Sequence, residues 1–178
     1  MDAISEIARL IIFILPAYFA NSTPVVLGGG MPLDGRRKFS DGYRIFGDSK
    51  TVRGFFSGIF AGLVIGVLEG IILSGSAFDI YSGNIQAYAL SGLLLGIGTM
   101  IGDLLGSFIK RRQNVPPGKP SLAMDQLLFL AVAIIFAYPF AANVLTVFGV
   151  VFLFVLTYFV HIGANIIANR VGLKKVPW

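Results

Sequence analysis

Two aspartates of this sequence, Asp103 and Asp125, lie inside or at the edge of hydrophobic segments, on either side of a basic stretch. A carboxylate at membrane depth is costly, so its presence there indicates a function. Carboxylate oxygens suit Mg²⁺, which takes one or two carboxylates and completes its shell with water and substrate phosphates. Four cations stand between the two aspartates: Lys110, Arg111, Arg112 and Lys119. The segment therefore predicts a metal and phosphate site, with an ion pair between each aspartate and a nearby cation as the structural alternative.

A second polar segment, GDSKTVRG at residues 47–54, combines glycine, hydroxyls and cations just before a hydrophobic run. Its lysine falls two residues late for the P-loop pattern GxxxxGK[ST], and no strand precedes it, which excludes a P-loop. Lys50 and Arg53 stand three residues apart at a predicted helix start, where backbone amides and cations bind phosphate together. The alternative is a basic loop that serves only membrane topology.

The composition requires these groups to be carried by helices in a membrane. Of the 178 residues, 56% are hydrophobic and 13% are charged, whereas soluble domains are roughly 25% charged; the mean hydropathy is +0.82. We therefore predict a single integral-membrane domain over residues 1–178, with no room for a separate soluble catalytic domain. The absence of cysteine excludes a disulfide, a thiolate nucleophile and a thiolate metal site.

Five hydrophobic runs predict an all-α protein with five transmembrane helices. The predicted helices cover residues 4–20, 54–73, 87–108, 122–138 and 144–167. Pro16, Asn21 and Pro24 predict a kink and local unwinding at the end of the first helix, with a plain helix terminus as the alternative. Glycines four residues apart in the second and third helices predict that these two pack as a tight hairpin. Glu69, near the outer end of the second helix, is expected to face water.

The distribution of Lys and Arg predicts the orientation in the membrane. All but one of the fourteen, Arg9, lie on one side of the predicted spans, and the positive-inside rule makes that side cytoplasmic. The N-terminus is then outside, the C-terminus is cytoplasmic, and a long cytoplasmic loop of residues 21–53 joins the first two helices. His161, Asn165 and Asn169 share one face of the last helix. The loop, the two aspartates and this polar face are expected to meet at the cytoplasmic surface of a multi-pass cell-membrane protein.

Several blocks of the sequence share their pattern with one enzyme family. They are PAYFANSTP at 16–24, PLDGRRKFSDGYRIFGDSKTVRG at 32–54, GDLLGSFIKRR at 102–112, the pair Asp125-Gln126 and the closing KKVPW at 174–178. Together they resemble archaeal CDP-archaeol synthase, the CTP-dependent cytidylyltransferase that acts on the ether lipid 2,3-di-O-geranylgeranylglyceryl phosphate. The segment 102–112, followed by Pro117-Gly118 and Asp125, is also similar to the end of the CDP-diacylglycerol synthase signature. It departs from that signature at Lys119 and Gln126, where the signature has histidine and arginine.

The resemblance implies that the lipid phosphate attacks the α-phosphorus of CTP, giving CDP-archaeol and pyrophosphate for phospholipid biosynthesis. A phosphate monoester has a second pKa of about 6 and is largely dianionic at neutral pH, so the attack needs no general base. It needs positioning and neutralisation of charge, which metal ions and cations supply. The implied catalytic residues are Lys50 and the two Mg²⁺ ligands, Asp103 and Asp125.

The remaining implied roles concern substrate binding. The expected partners are CTP, a prenylated glycerol-phosphate ether lipid and the bilayer, with no nucleic acid. The loop before the second helix is expected to bind the nucleotide through Gly47, Asp48, Ser49, Lys50, Thr51 and Arg53. The basic turn is expected to bind pyrophosphate or the lipid phosphate through Lys110, Arg111, Arg112 and Lys119. Further residues expected to line the site are Asn21, Gln126, His161 and Asn165.

Three other functions compete with this interpretation. The same chemistry on a different lipid phosphate, as in CDP-diacylglycerol synthase, stays open because tail recognition uses ordinary apolar side chains. A small membrane transporter would show charges near mid-membrane and internal repeats, whereas the charges here lie at one surface. A CDP-alcohol phosphotransferase needs a second aspartate four residues after Asp103, where this chain has Ser107.

Overall fold

The structure, a computed structural model, describes residues 3–115, 127–141 and 144–173. Its helices are α1 Ala3–Leu27, α2 Val52–Leu73, α3 Ile85–Arg112, α4 Leu128–Phe136, α5 Tyr138–Ala141 and α6 Val147–Arg170. Four of them, α1, α2, α3 and α6, are long and apolar enough to cross a membrane. Within these ranges the β structure amounts to two isolated bridges in the loop before α2. The prediction of an all-helical membrane protein is confirmed.

The predicted fourth span, residues 122–138, falls partly outside the described residues. Its described part forms the nine-residue helix α4, and the short α5 follows closely. α4 packs tightly on α3, since a Cβ atom on Gly102 would lie 2.6 Å from the Cα of Phe129. The count of five spans stays a prediction.

The first helix is longer than predicted. α1 continues through Pro16 and Pro24 as far as Leu27, seven residues past the predicted end, so the local unwinding predicted from Pro16, Asn21 and Pro24 is wrong. A proline removes one N–H from the helical ladder, and inside a membrane span the neighbouring groups can satisfy what is freed. The helix ends where Gly29 takes a φ of +95°, a left-handed conformation that glycine adopts without strain.

α2 and α3 form the tight hairpin that the glycine spacing predicted. The buried residues of α2 are all glycines, four residues apart: Gly54, Gly58, Gly62, Gly66 and Gly70. A Cβ atom on Gly92 of α3 would lie 2.5 Å from the carbonyl oxygen of Gly62 and 2.9 Å from the Cα of Gly66. No side chain fits between the two backbones at this level, so the helices are in direct backbone contact.

α1 and α6 lie side by side and run in the same direction. Leu10 of α1 packs against Gly149 of α6. Eight residues further along both helices, the hydroxyl of Tyr18 lies 2.7 Å from the Oγ1 of Thr157. The chain reverses between α1 and α2 and again between α2 and α3, which are closely packed pairs. The C-terminal ends of α1, α3 and α6 and the N-terminal end of α2 therefore lie at one end of the bundle, here called the loop end.

Glu69, at the opposite end of α2, is half-buried. Its Oε1 atom is buried and has no hydrogen-bond partner among the described residues. Tyr81, from the turn between α2 and α3, lies close by: burial, and then the charge of Glu69, raise the pKa of its phenol. The prediction that Glu69 faces water is therefore wrong for one of its carboxylate oxygens, which lies beside this turn.

Candidate active site

Lys50 and Asp103, which are far apart in the sequence, form a paired site at the loop end of the bundle. The ammonium nitrogen of Lys50 donates to both carboxylate oxygens of Asp103, at 2.7 Å and 2.6 Å. Both side chains are partly buried, with 22% and 28% of their surface exposed. The sequence predicted Asp103 as a metal ligand and Lys50 as a phosphate ligand, the family resemblance implied that both are catalytic, and the fold brings them into contact.

The contact is also an ion pair, which was the structural alternative for Asp103. Its cation comes from the loop before α2, whereas the sequence suggested a cation from the basic turn after α3. In the described part of the chain, no three His, Cys, Asp or Glu side chains converge to hold a metal ion. Asp103 supplies one hard carboxylate, and the second predicted metal ligand, Asp125, lies outside the described residues.

A small pocket surrounds the pair at the junction of α1, α2 and α3. Its volume is about 40 Å³, which is too small to enclose a whole nucleotide, since ligand pockets of that kind measure roughly 300 Å³ or more. Both polar and apolar residues line it. Its lining residues are Pro24, Ser49, Lys50, Thr51, Gly54, Phe55, Met100, Asp103 and Leu104.

The loop before α2 is closed by hydrogen bonds between its first and last residues. The amide of Leu33 donates to the carbonyl of Lys50 at 2.7 Å, and the amide of Val52 donates to the carbonyl of Met31 at 3.1 Å. Thr51 caps α2, because its Oγ1 accepts from the amide of Gly54 at 3.1 Å. Lys50 and Thr51 thus enter the pocket from a fixed backbone rather than from a free loop.

Three of the predicted nucleotide ligands do not line this pocket. Arg53 donates through Nε to the carbonyl oxygens of Leu27 at 2.8 Å and Gly28 at 3.0 Å, so it caps the C-terminal end of α1. Asp48 pairs with Arg44 at 2.9 Å and is 76% exposed. Gly47 is engaged through its amide within the loop. Ser49, Lys50 and Thr51 are the predicted nucleotide ligands that the pocket brings together.

Arg112, a predicted phosphate ligand, joins α3 to the loop. Its guanidinium carbon lies 3.5 Å from the ring centre of Phe108 and 4.7 Å from that of Phe39. Its Nε also pairs with Asp41 at 3.1 Å. These contacts direct the cation at the loop rather than at the pocket. Lys110 and Arg111 share the last turn of α3 with it, and neither lines the pocket.

The other residues expected to line the site lie around it or outside the described residues. Asn21 is half-buried, one helical turn before Pro24, which lines the pocket. The ring centres of His161 and Phe129 lie 6.2 Å apart. Phe129 packs against Gly102, the residue before Asp103. This places His161 near the level of Asp103 but not in the pocket. Asn165 lies one turn further along α6.

Three of the predicted site residues lie outside the described residues. They are Asp125, Lys119 and Gln126.

Asp34 received no role from the sequence, yet it is the buried centre of the loop. Its side chain is fully buried and pairs with Arg44 at 2.7 Å. Burial acts to raise the pKa of this carboxyl, but the hydrogen bonds from Arg44 and from the amides of Gly47, Phe46 and Arg36 hold it well below its usual value. A signal was present in the sequence: an aspartate before glycine in a turn, with an arginine ten residues later.

Comparison with known proteins gives one consistent result. Residues 3–178 match the CarS-like family, described as CDP-archaeol synthase. Curated proteins named CDP-archaeol synthase are 49% identical in Pyrococcus horikoshii, over 93% of this chain and 94% of that one, and 46% identical in Thermococcus gammatolerans, over the whole of both. A solved structure, described as an intramembrane enzyme for archaeal membrane lipids biosynthesis, superimposes with a TM-score of 0.75 at 35% identity. It covers 88% of this chain and 92% of its own.

Proposed function

Because the chain belongs to the CDP-archaeol synthase family, we propose that its Lys50 and Asp103 site transfers a cytidylyl group from CTP to the phosphate of an unsaturated archaeal ether lipid. An oxygen of the lipid phosphate forms a bond to the α-phosphorus of CTP. The bond between that phosphorus and the oxygen bridging to the β-phosphorus breaks, and pyrophosphate leaves. The products are CDP-archaeol and pyrophosphate.

One observation supports this location most directly: a lysine and an aspartate from separate segments meet, partly buried, at the end of the bundle. The reaction brings a dianionic lipid phosphate to a triphosphate, so it depends on neutralising negative charge and on alignment. Lys50 would supply positive charge to the triphosphate. Ser49 and Thr51, which line the same pocket, offer hydroxyl groups beside it.

The carboxylate of Asp103 fits a divalent cation. Both of its oxygens already point at one positively charged group, the ammonium of Lys50. We propose that Asp103 and Asp125 would hold Mg²⁺, which when bound neutralises phosphate charge and helps to align the reacting groups. Lys50, in contact with Asp103, would act on the same phosphates.

The chain is a multi-pass membrane protein, and we propose that its loop end faces the cytoplasm. All but one of the fourteen Lys and Arg residues belong to segments predicted on that side of the membrane, as the positive-inside rule expects of a cytoplasmic surface. CTP would then reach the pocket from the cytoplasm and the lipid from the bilayer.

Two of the alternatives, an ester lipid phosphate as substrate and a transporter, are less well supported. Curated relatives from three genera carry the name CDP-archaeol synthase, which favours the ether lipid over an ester lipid phosphate. A transporter would place its charged pair near the middle of the membrane, whereas Lys50 and Asp103 lie at one end of the bundle.

The decisive experiment is an assay of the purified protein with radiolabelled CTP, Mg²⁺ and either ether or ester lipid phosphates. We expect a labelled CDP-lipid with the unsaturated ether lipid and little product with the ester. Replacing Asp103 with Asn should lower kcat/KM by about 10²-fold or more, since the site loses its charge. A matched control is Asp79→Asn, a loop carboxylate at the opposite end of the bundle.

Two results would overturn this proposal. One is near-normal turnover by the Asp103→Asn variant. The other is equal use of both lipid classes, which would remove the assigned specificity.

A further inference from the structure

We propose that Asp34 is a positioning residue for the reaction, because its buried carboxylate fixes the backbone on both sides of Lys50. The proposal rests on the role proposed above for Lys50. It concerns the chain's own loop and not a substrate contact, since Asp34 does not line the pocket.

Asp34 organises the loop through five hydrogen bonds. Its Oδ1 accepts from the amide of Arg36 at 3.0 Å and from the Nη2 of Arg44 at 2.7 Å. Its Oδ2 accepts from the Nε of Arg44 at 3.2 Å and from the amides of Phe46 and Gly47, both at 3.1 Å. Each group that faces this carboxylate is a donor, so an acceptor with two oxygens and no hydrogen is required.

Two of these connections continue to Lys50. On one side, the residue before Asp34 in the chain, Leu33, donates its amide to the carbonyl of Lys50 at 2.7 Å. On the other side, Gly47, which Asp34 holds by its amide, accepts the amide of Lys50 on its carbonyl at 3.3 Å. The backbone carbonyl of Lys50 is therefore bonded to Leu33, the residue next to Asp34, and its backbone amide is bonded to Gly47, which is itself bonded to the Asp34 carboxylate.

The position of this backbone matters because the lysine side chain is long. Lys50 reaches across to α3 so that its ammonium lies within 2.7 Å of both oxygens of Asp103. A displacement of about 1 Å at a catalytic group can lower a rate by about 10²-fold. Without the Asp34 carboxylate as acceptor, the loop would no longer hold Lys50 at a fixed distance from Asp103.

Asp34→Asn is the sharpest substitution, because it preserves size and replaces an acceptor by a donor. In place of Oδ1 the new NH₂ group would face the amide of Arg36 and the Nη2 of Arg44, and in place of Oδ2 it would face the Nε of Arg44 and the amides of Phe46 and Gly47. A buried donor opposite donors is left unsatisfied, which is costly. The loop is expected to rearrange locally around Lys50.

The chain provides a matched control for a purely structural effect. Asp79, in the turn between α2 and α3, also accepts two backbone amides, from Gly75 at 2.9 Å and from Tyr81 at 3.2 Å, and contacts the hydroxyl of Tyr88 at 3.1 Å. It lies at the opposite end of the bundle from Lys50. Asp79→Asn should therefore disturb a hydrogen-bonded turn without moving Lys50.

Cross-linking tests the geometry without any need for turnover. The natural chain contains no cysteine, so a Lys50→Cys, Asp103→Cys double variant can be joined specifically by a short bifunctional thiol reagent. We expect the rate of cross-linking to fall by several-fold when Asp34→Asn is added and to stay unchanged when Asp79→Asn is added. Equal rates in the two backgrounds would overturn the proposal.

Kinetics on chains with native Lys50 provide the second measurement. Asp34→Asn should raise the KM for CTP and lower kcat, with a combined loss of about 10²-fold, while Asp79→Asn should leave both near the native values. If Asp34→Asn does not fold, Arg44→Gln removes the guanidinium and keeps the three backbone bonds to Asp34. It should give a smaller loss in the same direction, and native kinetics in that variant would overturn the proposal.

The activity assay and the cross-linking experiment test the two proposals independently. A protein that forms no CDP-lipid would contradict the proposed function. An unchanged cross-linking rate in an active protein would contradict the role of Asp34 alone.

Discussion

The ammonium of Lys50 and the carboxylate of Asp103 are joined by two hydrogen bonds, of 2.7 Å and 2.6 Å, across the gap between the loop and α3. Each partner is the other's principal counter-charge within the described part of the site. Removing either one leaves a partly buried charge in a pocket that the apolar residues Phe55, Met100 and Leu104 also line.

We expect Lys50→Met to lower kcat/KM for CTP by about 10²-fold, because a cation that would stabilise phosphate charge is lost. Lys50→Arg should recover only part of this activity, since a planar guanidinium does not replace an ammonium at a point contact. Steady-state kinetics at varied CTP would measure both. Full activity of the methionine variant would contradict the assignment of Lys50.

A second prediction concerns the attachment of the loop to α3 by Arg112. Arg112→Met should destabilise the protein more than Asp41→Asn, because it removes both the ion pair and the stacking over Phe108 and Phe39. The pair is partly exposed, so the coupling energy between the two substitutions should be only about 0.5–1 kcal/mol. Unfolding of the single and double variants in detergent would give this value. Strictly additive effects would show that the two side chains do not interact.

The glycine contact between α2 and α3 gives a third prediction. Gly92→Ala should destabilise the bundle by about 1–3 kcal/mol or more, because the added methyl group would meet the backbone of Gly62 at 2.5 Å. Gly163→Ala on α6 is the matched control, since a Cβ atom there meets no described atom within 4 Å. The thermal midpoint in detergent would distinguish the two. A Gly92 variant as stable as the control would contradict the close packing.

A fourth prediction concerns alkaline pH and Tyr81. Burial raises the pKa of this phenol from its ordinary value of 10 to about 12. Between these values the unfolded chain loses the proton and the folded chain keeps it, so the free energy of unfolding should fall as pH rises through this interval, by up to about 3 kcal/mol.

Chemical unfolding measured between neutral pH and about pH 12 would show this loss, and Tyr81→Phe should flatten the profile. Tyr43, which is 45% exposed in the loop, is the control, and Tyr43→Phe should leave the slope unchanged. A slope that persists in Tyr81→Phe would assign the effect to another group.

The sequence predicted the structure best where a residue type at a given spacing has a single structural role. Glycines at four-residue spacing have little reason to recur in a membrane helix except close contact, and the α2–α3 hairpin confirmed that interpretation. Proline was less informative, because it disfavours a helix in water but is tolerated in a membrane span, and α1 continues through Pro24.

Charged side chains were the hardest to assign. Sequence patterns marked Arg53 and Arg112 as phosphate ligands, but a cation also stabilises carbonyl groups at a helix end or the face of an aromatic ring. Arg53 caps α1 and Arg112 lies over Phe108. Which partner a long cation takes depends on the folded backbone, and the same holds for the pairing of Lys50 with Asp103.

The backbone contact between Gly62 and Gly92 also restricts how a lipid can travel. At a seam where one methyl group would overlap main-chain atoms, no hydrocarbon chain can slide between the helices. A hydrocarbon chain within the bilayer therefore cannot cross between α2 and α3 at the level of Gly62 and Gly92. Any lateral route to Asp103 must lie outside this closed part of the seam.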